Sequence, residues 1–240
     1  MKIGVISQAR MGSSRLPGKV AKTIGGKTVL DHHIDRLVEA GLNLIVATTV
    51  EDDDAKIVEI CKKKAIPVFR GSEDNVLDRY YQTAKEHGLD IIARVTSDCP
   101  LIDGEILKVA LDTFAREYSN RPVYFSNCLE RTYPRGFDFE IFSFNELEQA
   151  YREARDQVDL EHVTPYIRLK IPNIELAHFT REEDDSEYRI TLDTQEDFEL
   201  IQTLIEKFNA HQLSAEEIIK VMRENPGLKQ INQEVVQKTK

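Results

Sequence analysis

No stretch of these 240 residues approaches the roughly 20 consecutive apolar residues that cross a bilayer as a helix. The N-terminus also lacks the basic region, apolar run and small-residue cleavage site of a secretion signal, so a cytoplasmic protein with no membrane partner is expected. Cysteine is sparse. Cys61, Cys99 and Cys128 are odd in number and widely spaced, with no CxxC and no Cys/His cluster, which excludes a disulfide framework and a zinc site and predicts free thiols. Positive charge is in deficit: a formal net charge of −10 excludes the broad basic face that binds nucleic acid or anionic lipid by neutralising many phosphates. Local basic patches remain compatible with it. Internal repeats and low-complexity linkers are missing too, which favours one continuous domain over residues 1–240. Hydrophobic residues at 41% suffice for a sizeable core.

What is present is an alternation of strand and helix signals. Lys2 to Ser7, Asn43 to Thr49, Pro67 to Phe69 and Ile91 to Thr96 are short apolar runs that predict buried parallel strands. Between them, helical periodicity covers Val29 to Ala40, Asp53 to Ala65 and Val76 to His87, with Gly41 and Gly88 as stops after the first and third. The fold class is therefore α/β, an open and mostly parallel sheet covered on both faces. A further helix from Gly104 to about Tyr118 precedes a strand at Val123 to Ser126. The second half is less regular, with strands at Phe137 to Phe142, Ile174 to Phe179 and Tyr188 to Leu192. Its helices are expected at Asn145 to Arg155, at Leu160 to Leu169 with Pro165 starting or kinking it, at Gln195 to Asn209, and from a cap at Ser214. This predicts a small antiparallel insertion in the middle of the chain. The acidic run Arg181 to Glu187 reads as a solvated loop.

Gln8 to Lys19, "QARMGSSRLPGK", leaves the carboxyl end of the first strand, where open α/β sheets bind ligands. Five residues separate Gly12 from Gly18 and Val20 follows Lys19, so the spacing is not that of a P-loop, and no GxGxxG occurs. A long loop remains in which Arg10, Arg15 and Lys19 can surround an anion while Gly12, Ser13 and Ser14 offer donors. Asp98 follows the strand Ile91 to Thr96 at its carboxyl end and precedes Pro100, where the residues alone read as a turn residue or helix cap. Asp193 ends another expected strand and also fits the N-cap of the next helix, with Glu196 placed for a capping box. Asp138 and Glu140 would share one strand face. His32 and His33 are adjacent and make no metal pair at helical spacing. No Ser-His-Asp or Cys-His arrangement is evident.

The loop resembles the signature of the sugar cytidylyltransferases, the group of the Kdo and acylneuraminate enzymes, in the branch of spore coat polysaccharide biosynthesis protein F. Further ordered stretches carry the resemblance: "GSEDNVLDRYYQTA", "RVTSDCPLID", "YPRGFDFEIF", "EHVTPYI" and "LDTQEDFELI". It implies a single-domain, GT-A-like nucleotidyltransferase fold and transfer of CMP from CTP to an acidic sugar with release of pyrophosphate, in bacterial surface-polysaccharide biosynthesis. Arg10 and Lys19 would contact the phosphates, supported by Ala9, Gly12, Ser13, Ser14 and Arg15, and Asp78 and Arg79 would form part of the nucleoside or sugar pocket. Asp98 and Asp193 would hold Mg²⁺, with Asp138 and Glu140 as rivals for the second place. Arg135, Asp138, Glu140 and His162 would face the acceptor, in an acceptor and interface region of about residues 129–180. The resemblance also implies a homodimer. Two other readings stay open: a glycosyltransferase using a nucleotide-sugar donor, and a module that binds a nucleotide without turnover.

Overall fold

The computed structural model describes residues 1–237. The first apolar run becomes β1 (Ile3–Gln8), whose four central residues are all buried, as in a strand covered on both faces. After it come the short hairpin of β2 (Thr23–Ile24) and β3 (Lys27–Thr28), then α1 (Val29–Glu39). β4 (Leu44–Thr49), α2 (Ala55–Lys63), β5 (Val68–Gly71), α3 (Val76–Glu86), β6 (Ile91–Thr96) and α4 (Gly104–Glu117) follow the alternation expected from periodicity. β7 (Val123–Ser126), β8 (Glu140–Ser143), α5 (Phe144–Glu153), α6 (Gln157–His162), α7 (Thr164–Lys170) and β9 (Glu175–His178) form the less regular middle. α8 (Gln195–Phe208), α9 (Ala215–Glu224) and α10 (Pro226–Gln230) complete the described helices.

The main sheet runs in the order β5-β4-β1-β6-β8-β7-β9. β5, β4, β1 and β6 are parallel, while β8 pairs antiparallel with both β6 and β7. The architecture is thus α/β with a mostly parallel sheet, and its antiparallel element lies within that sheet. Adjacent residues of β1 serve opposite faces. Val5 packs with Leu30, Ile34, Leu107 and Phe114 beneath α1 and α4. Ile6 packs with Tyr80, Phe142 and Ile167 beneath α3 and α7. A third cluster joins α8 and α9 to Leu16, Tyr133, Phe137 and Leu192, so the loop after β1 is fastened to the C-terminal helices.

Four expectations are corrected. Tyr188 to Leu192 is not a strand; it makes one isolated bridge, Arg135 to Arg189, and its Leu192 amide donates to the Asp98 carbonyl at 2.8 Å. Phe137 to Phe139 is not strand either, so Asp138 and Glu140 do not share a strand face. The buried Asn127 amide takes the place of a partner strand, donating to the Phe137 carbonyl at 2.8 Å and accepting from the Phe139 amide at 2.9 Å. The helix expected over residues 160–169 is two, broken at Val163, whose φ is 69°, with Pro165 in the first turn of α7. The acidic run is not wholly solvated: Asp185 is buried and accepts from Arg223 at 2.7 Å.

Candidate active site

The loop after β1 is shaped before any ligand arrives. Gly18, at φ +67°, turns back so that its amide donates to the Met11 carbonyl at 3.0 Å. The Met11 amide in turn donates to Asp54 Oδ1 at 2.7 Å, and the other Asp54 oxygen accepts from Thr48 and Thr49 at the end of β4. Burial alone would raise the Asp54 carboxyl, but the hydrogen bonds from Thr49, Met11 and Thr48 outweigh it and hold the group below its ordinary value. Loop and β4 are pinned together by one carboxylate.

Lys19 leaves this loop and crosses the carboxyl edge of the sheet. Its Nζ donates to Asp98 Oδ2 and Asp193 Oδ1, each at 2.8 Å, and to the Leu192 carbonyl at 2.7 Å. Desolvation works against the buried ammonium, yet the two carboxylates outweigh it and its pKa rises. The Asp193 carboxyl is correspondingly held low, with burial opposing and Lys19 the main favourable partner. Asp193 also pairs with Arg15 at 3.0 Å and Arg189 at 2.9 Å.

Neither carboxylate is spent on capping a helix. α4 is capped by Asp103, which accepts from the Glu105 and Ile106 amides. α8 is capped by Thr194 with Asp197 in the capping box, displacing the expected pair Asp193 and Glu196. Asp98 and Asp193 therefore converge on one cation position from two separate loops. Two hard oxygen donors around a single cation fit Mg²⁺, which completes its shell with water and substrate phosphate. Asp138 and Glu140 are engaged elsewhere: Asp138 binds both terminal nitrogens of Arg131, and Glu140 accepts from Arg94, Tyr124 and Thr164.

Two compartments meet at this cluster. One, of about 260 Å³, is lined by Ala9, Arg10, Gly12, Ser13, Ser14, Arg79 and His162. The other, of about 330 Å³, is lined by Arg94, Arg131, Arg135, Asp138 and Glu140. Gln8, Arg15, Thr96, Asp98 and Asp193 border both. Arg10 is exposed and pairs with Glu73 at 3.7 Å. Arg79 is buried, donating one terminal nitrogen to the Ser72 carbonyl at 2.8 Å, and its Nε has no hydrogen-bond partner among the described residues.

Arg135 makes no side-chain ion pair among the described residues. Its pKa is lowered by burial and by the neighbouring charges of Arg131 and Arg189, with Asp138 opposing. A guanidinium in that setting remains cationic and lacks a counter-charge of its own.

Two placements depart from expectation. His162 lies on the loop side and not with Arg135. Asp78 lines neither compartment; it sits in the first turn of α3 and accepts from Gln82 at 3.0 Å.

Sequence reasoning missed Asp54, Arg131, Arg189 and Gly136. Gly136 has φ +116°, and a Cβ there would stand 2.6 Å from the Ile190 carbonyl, so only glycine lets the Arg135 loop lie against the chain that carries Asp193. The glycine in "YPRGFDF" was the signal for it.

A phosphate-sized loop of cations and hydroxyls, beside paired carboxylates at the carboxyl edge of a parallel sheet, defines a nucleotide-handling α/β protein. The chain belongs to the cytidylyltransferase family, whose model matches residues 4–230. It is 34% identical over 232 residues to spore coat polysaccharide biosynthesis protein SpsF of Bacillus subtilis, covering 92% of this chain and 94% of that protein. A cytidylyltransferase structure from Leptospira borgpetersenii superposes with a TM-score of 0.92 at 40% identity, over 99% of this chain and all of that one. A CMP:2-keto-3-deoxy-manno-octonic acid synthetase complexed with CTP shares the fold, with a TM-score of 0.66 at 16% identity over 87% of this chain and 100% of the other. Among the described residues no helix is long and apolar enough to cross a membrane.

Proposed function

We propose that this chain transfers CMP from CTP to a hydroxyl of an acidic sugar, releasing pyrophosphate, for the synthesis of a surface polysaccharide. The observation that carries the reading is the pair of compartments meeting at Asp98 and Asp193. CTP takes the loop compartment and the acid sugar the other, so the acceptor hydroxyl and the α-phosphorus face each other across the carboxylates. Family membership and the CTP held by the octonic acid synthetase support the nucleotide, and the name of the Bacillus subtilis relative supports the pathway.

Little covalent work falls to the protein. The acceptor oxygen bonds to the α-phosphorus as the bond to pyrophosphate breaks, a reaction that asks for positioning and charge neutralisation. Arg10 and Lys19, with the Ser13 and Ser14 hydroxyls, bind the triphosphate and stabilise charge on the departing pyrophosphate. Arg79 adds its charge from the wall of the same compartment. Arg135 takes the sugar carboxylate because its charge is uncompensated, whereas Arg94 and Arg131 already have Glu140 and Asp138. Asp98 and Asp193 would hold Mg²⁺, which when bound polarises the α-phosphate.

Pyrophosphate release, measured with each ribonucleoside triphosphate against Kdo and N-acetylneuraminate, tests the reading. Release with CTP and an acid sugar, with a CMP-sugar identified by mass spectrometry, is the expected result. Turnover of a nucleoside diphosphate-sugar without use of any triphosphate would replace it with glycosyl transfer.

A further inference from the structure

The ammonium of Lys19 stands between Asp98 and Asp193, 2.8 Å from one oxygen of each. Its third bond, to the Leu192 carbonyl at 2.7 Å, uses the last of its three protons. Arg15 and Arg189 also hold Asp193, and Arg189 continues to Asp197. Asp98, Asp193 and Asp197 are thereby balanced by Lys19, Arg15 and Arg189. A divalent cation arriving from water would have to expel the ammonium or settle beside it, and would surrender hydration in either case. A triphosphate reverses that balance. Lys19 shares its compartment with Arg10, Ser13 and Ser14, and its flexible four-carbon stem lets the ammonium turn from carboxylate to phosphate.

Resting on the cytidylyl-transfer reading, we propose that Lys19 closes the Asp98–Asp193 pair to divalent cations until a nucleoside triphosphate draws its ammonium onto the phosphates. Mg²⁺ then enters with the nucleotide and not before it. Lys19 has two successive partners, which reconciles its bonds here with a role on the triphosphate. The nucleotide-free protein is thereby kept from binding Mg²⁺ or Mn²⁺ unproductively.

Thermal unfolding of the full chain with MgCl₂ alone, at matched ionic strength, is compared for wild type, Lys19→Met and Lys19→Met with Asp98→Asn. Wild type is expected not to respond, whereas Lys19→Met is stabilised by MgCl₂ in a concentration-dependent way. The second substitution removes the gain. Wild type responding to MgCl₂ as strongly as Lys19→Met overturns the proposal. So does an unresponsive Lys19→Met in a protein whose wild type is stabilised by CTP with Mg²⁺. If CTP with Mg²⁺ leaves wild type unchanged, the cytidylyl-transfer reading fails and takes the proposal with it. Electron paramagnetic resonance of Mn²⁺ keeps the test open should Lys19→Met not fold: the free-ion signal persists beside nucleotide-free wild type, and its loss there overturns the proposal.

Discussion

The two compartments that meet at Asp98 are built on opposite plans. The loop compartment draws most of its positive charge from one continuous stretch, residues 8–20, and its outer cation, Arg10, is exposed and pairs with Glu73 at 3.7 Å. The other compartment takes Arg94 from β6 and Arg131 and Arg135 from the stretch between β7 and β8, and pairs two of them internally, leaving Arg135 without an ion pair among the described residues. One side offers several cations and hydroxyls from one loop, and the other presents Arg135 as a cation with no ion pair among the described residues. Such a division suits the polyanionic nucleotide and the mono-acid of the proposed reaction.

Changes at the junction should do the most harm, because both compartments use it. Asp98→Asn removes a carboxylate from the cation position and is expected to cut turnover by about a thousandfold, several kcal/mol of transition-state stabilisation, in pyrophosphate-release kinetics. Arg135→Ala separates the compartments: the KM for the acid sugar rises by about 10- to 100-fold, as for a lost charged hydrogen bond of about 1.5–3 kcal/mol, while CTP affinity is unchanged. An equal loss in both affinities would break the division drawn here. Gly136→Ala forces a Cβ against the Ile190 carbonyl at positive φ and should cost about 1–3 kcal/mol, read as a lower midpoint together with weaker acceptor binding.

Smaller effects belong to the loop side. Asp54→Asn loosens the Met11 anchor and lowers stability at neutral pH by about 1–3 kcal/mol. Because the Asp54 carboxyl lies below its ordinary value of 3.8 when folded, its contribution is whole above that pH and is lost as pH falls through the folded value. The gap between wild type and Asp54→Asn should therefore narrow only in acid below 3.8, in thermal scans across pH. Arg10→Ala should leave the nucleotide-free midpoint within about 0.5 kcal/mol of wild type, since its ion pair is exposed, yet weaken CTP binding.

The same contrast explains what could be read in advance. Parallel strands β1, β4 and β6 and the helices between them announce themselves through apolar runs and stops, and the loop compartment is contiguous, so Arg10, Ser13 and Lys19 were visible as a group. Asp98 and Asp193 were legible only as candidates, because each also suited a cap. Their release from capping depends on Asp103, Thr194 and Asp197, whose roles are decided by backbone geometry. Glu140 looked available, and its three partners come from β6, β7 and α7. Asp54 carried no local signal, since its bond to Met11 spans 43 residues. The stretch of residues 137–139 alternates like a strand, and only the distant Asn127 side chain shows why it is not one.

The most direct test of a CTP site joined to a carboxylate pair is thermal unfolding with each of the four ribonucleoside triphosphates, with and without Mg²⁺, on wild type and Asp98→Asn. A ligand at about 100 times its dissociation constant adds about 2.7 kcal/mol, several degrees in the midpoint of a protein this size. A shift chiefly with CTP and Mg²⁺ that shrinks in Asp98→Asn is the predicted result. Stabilisation by a nucleoside diphosphate-sugar and by no triphosphate would contradict it.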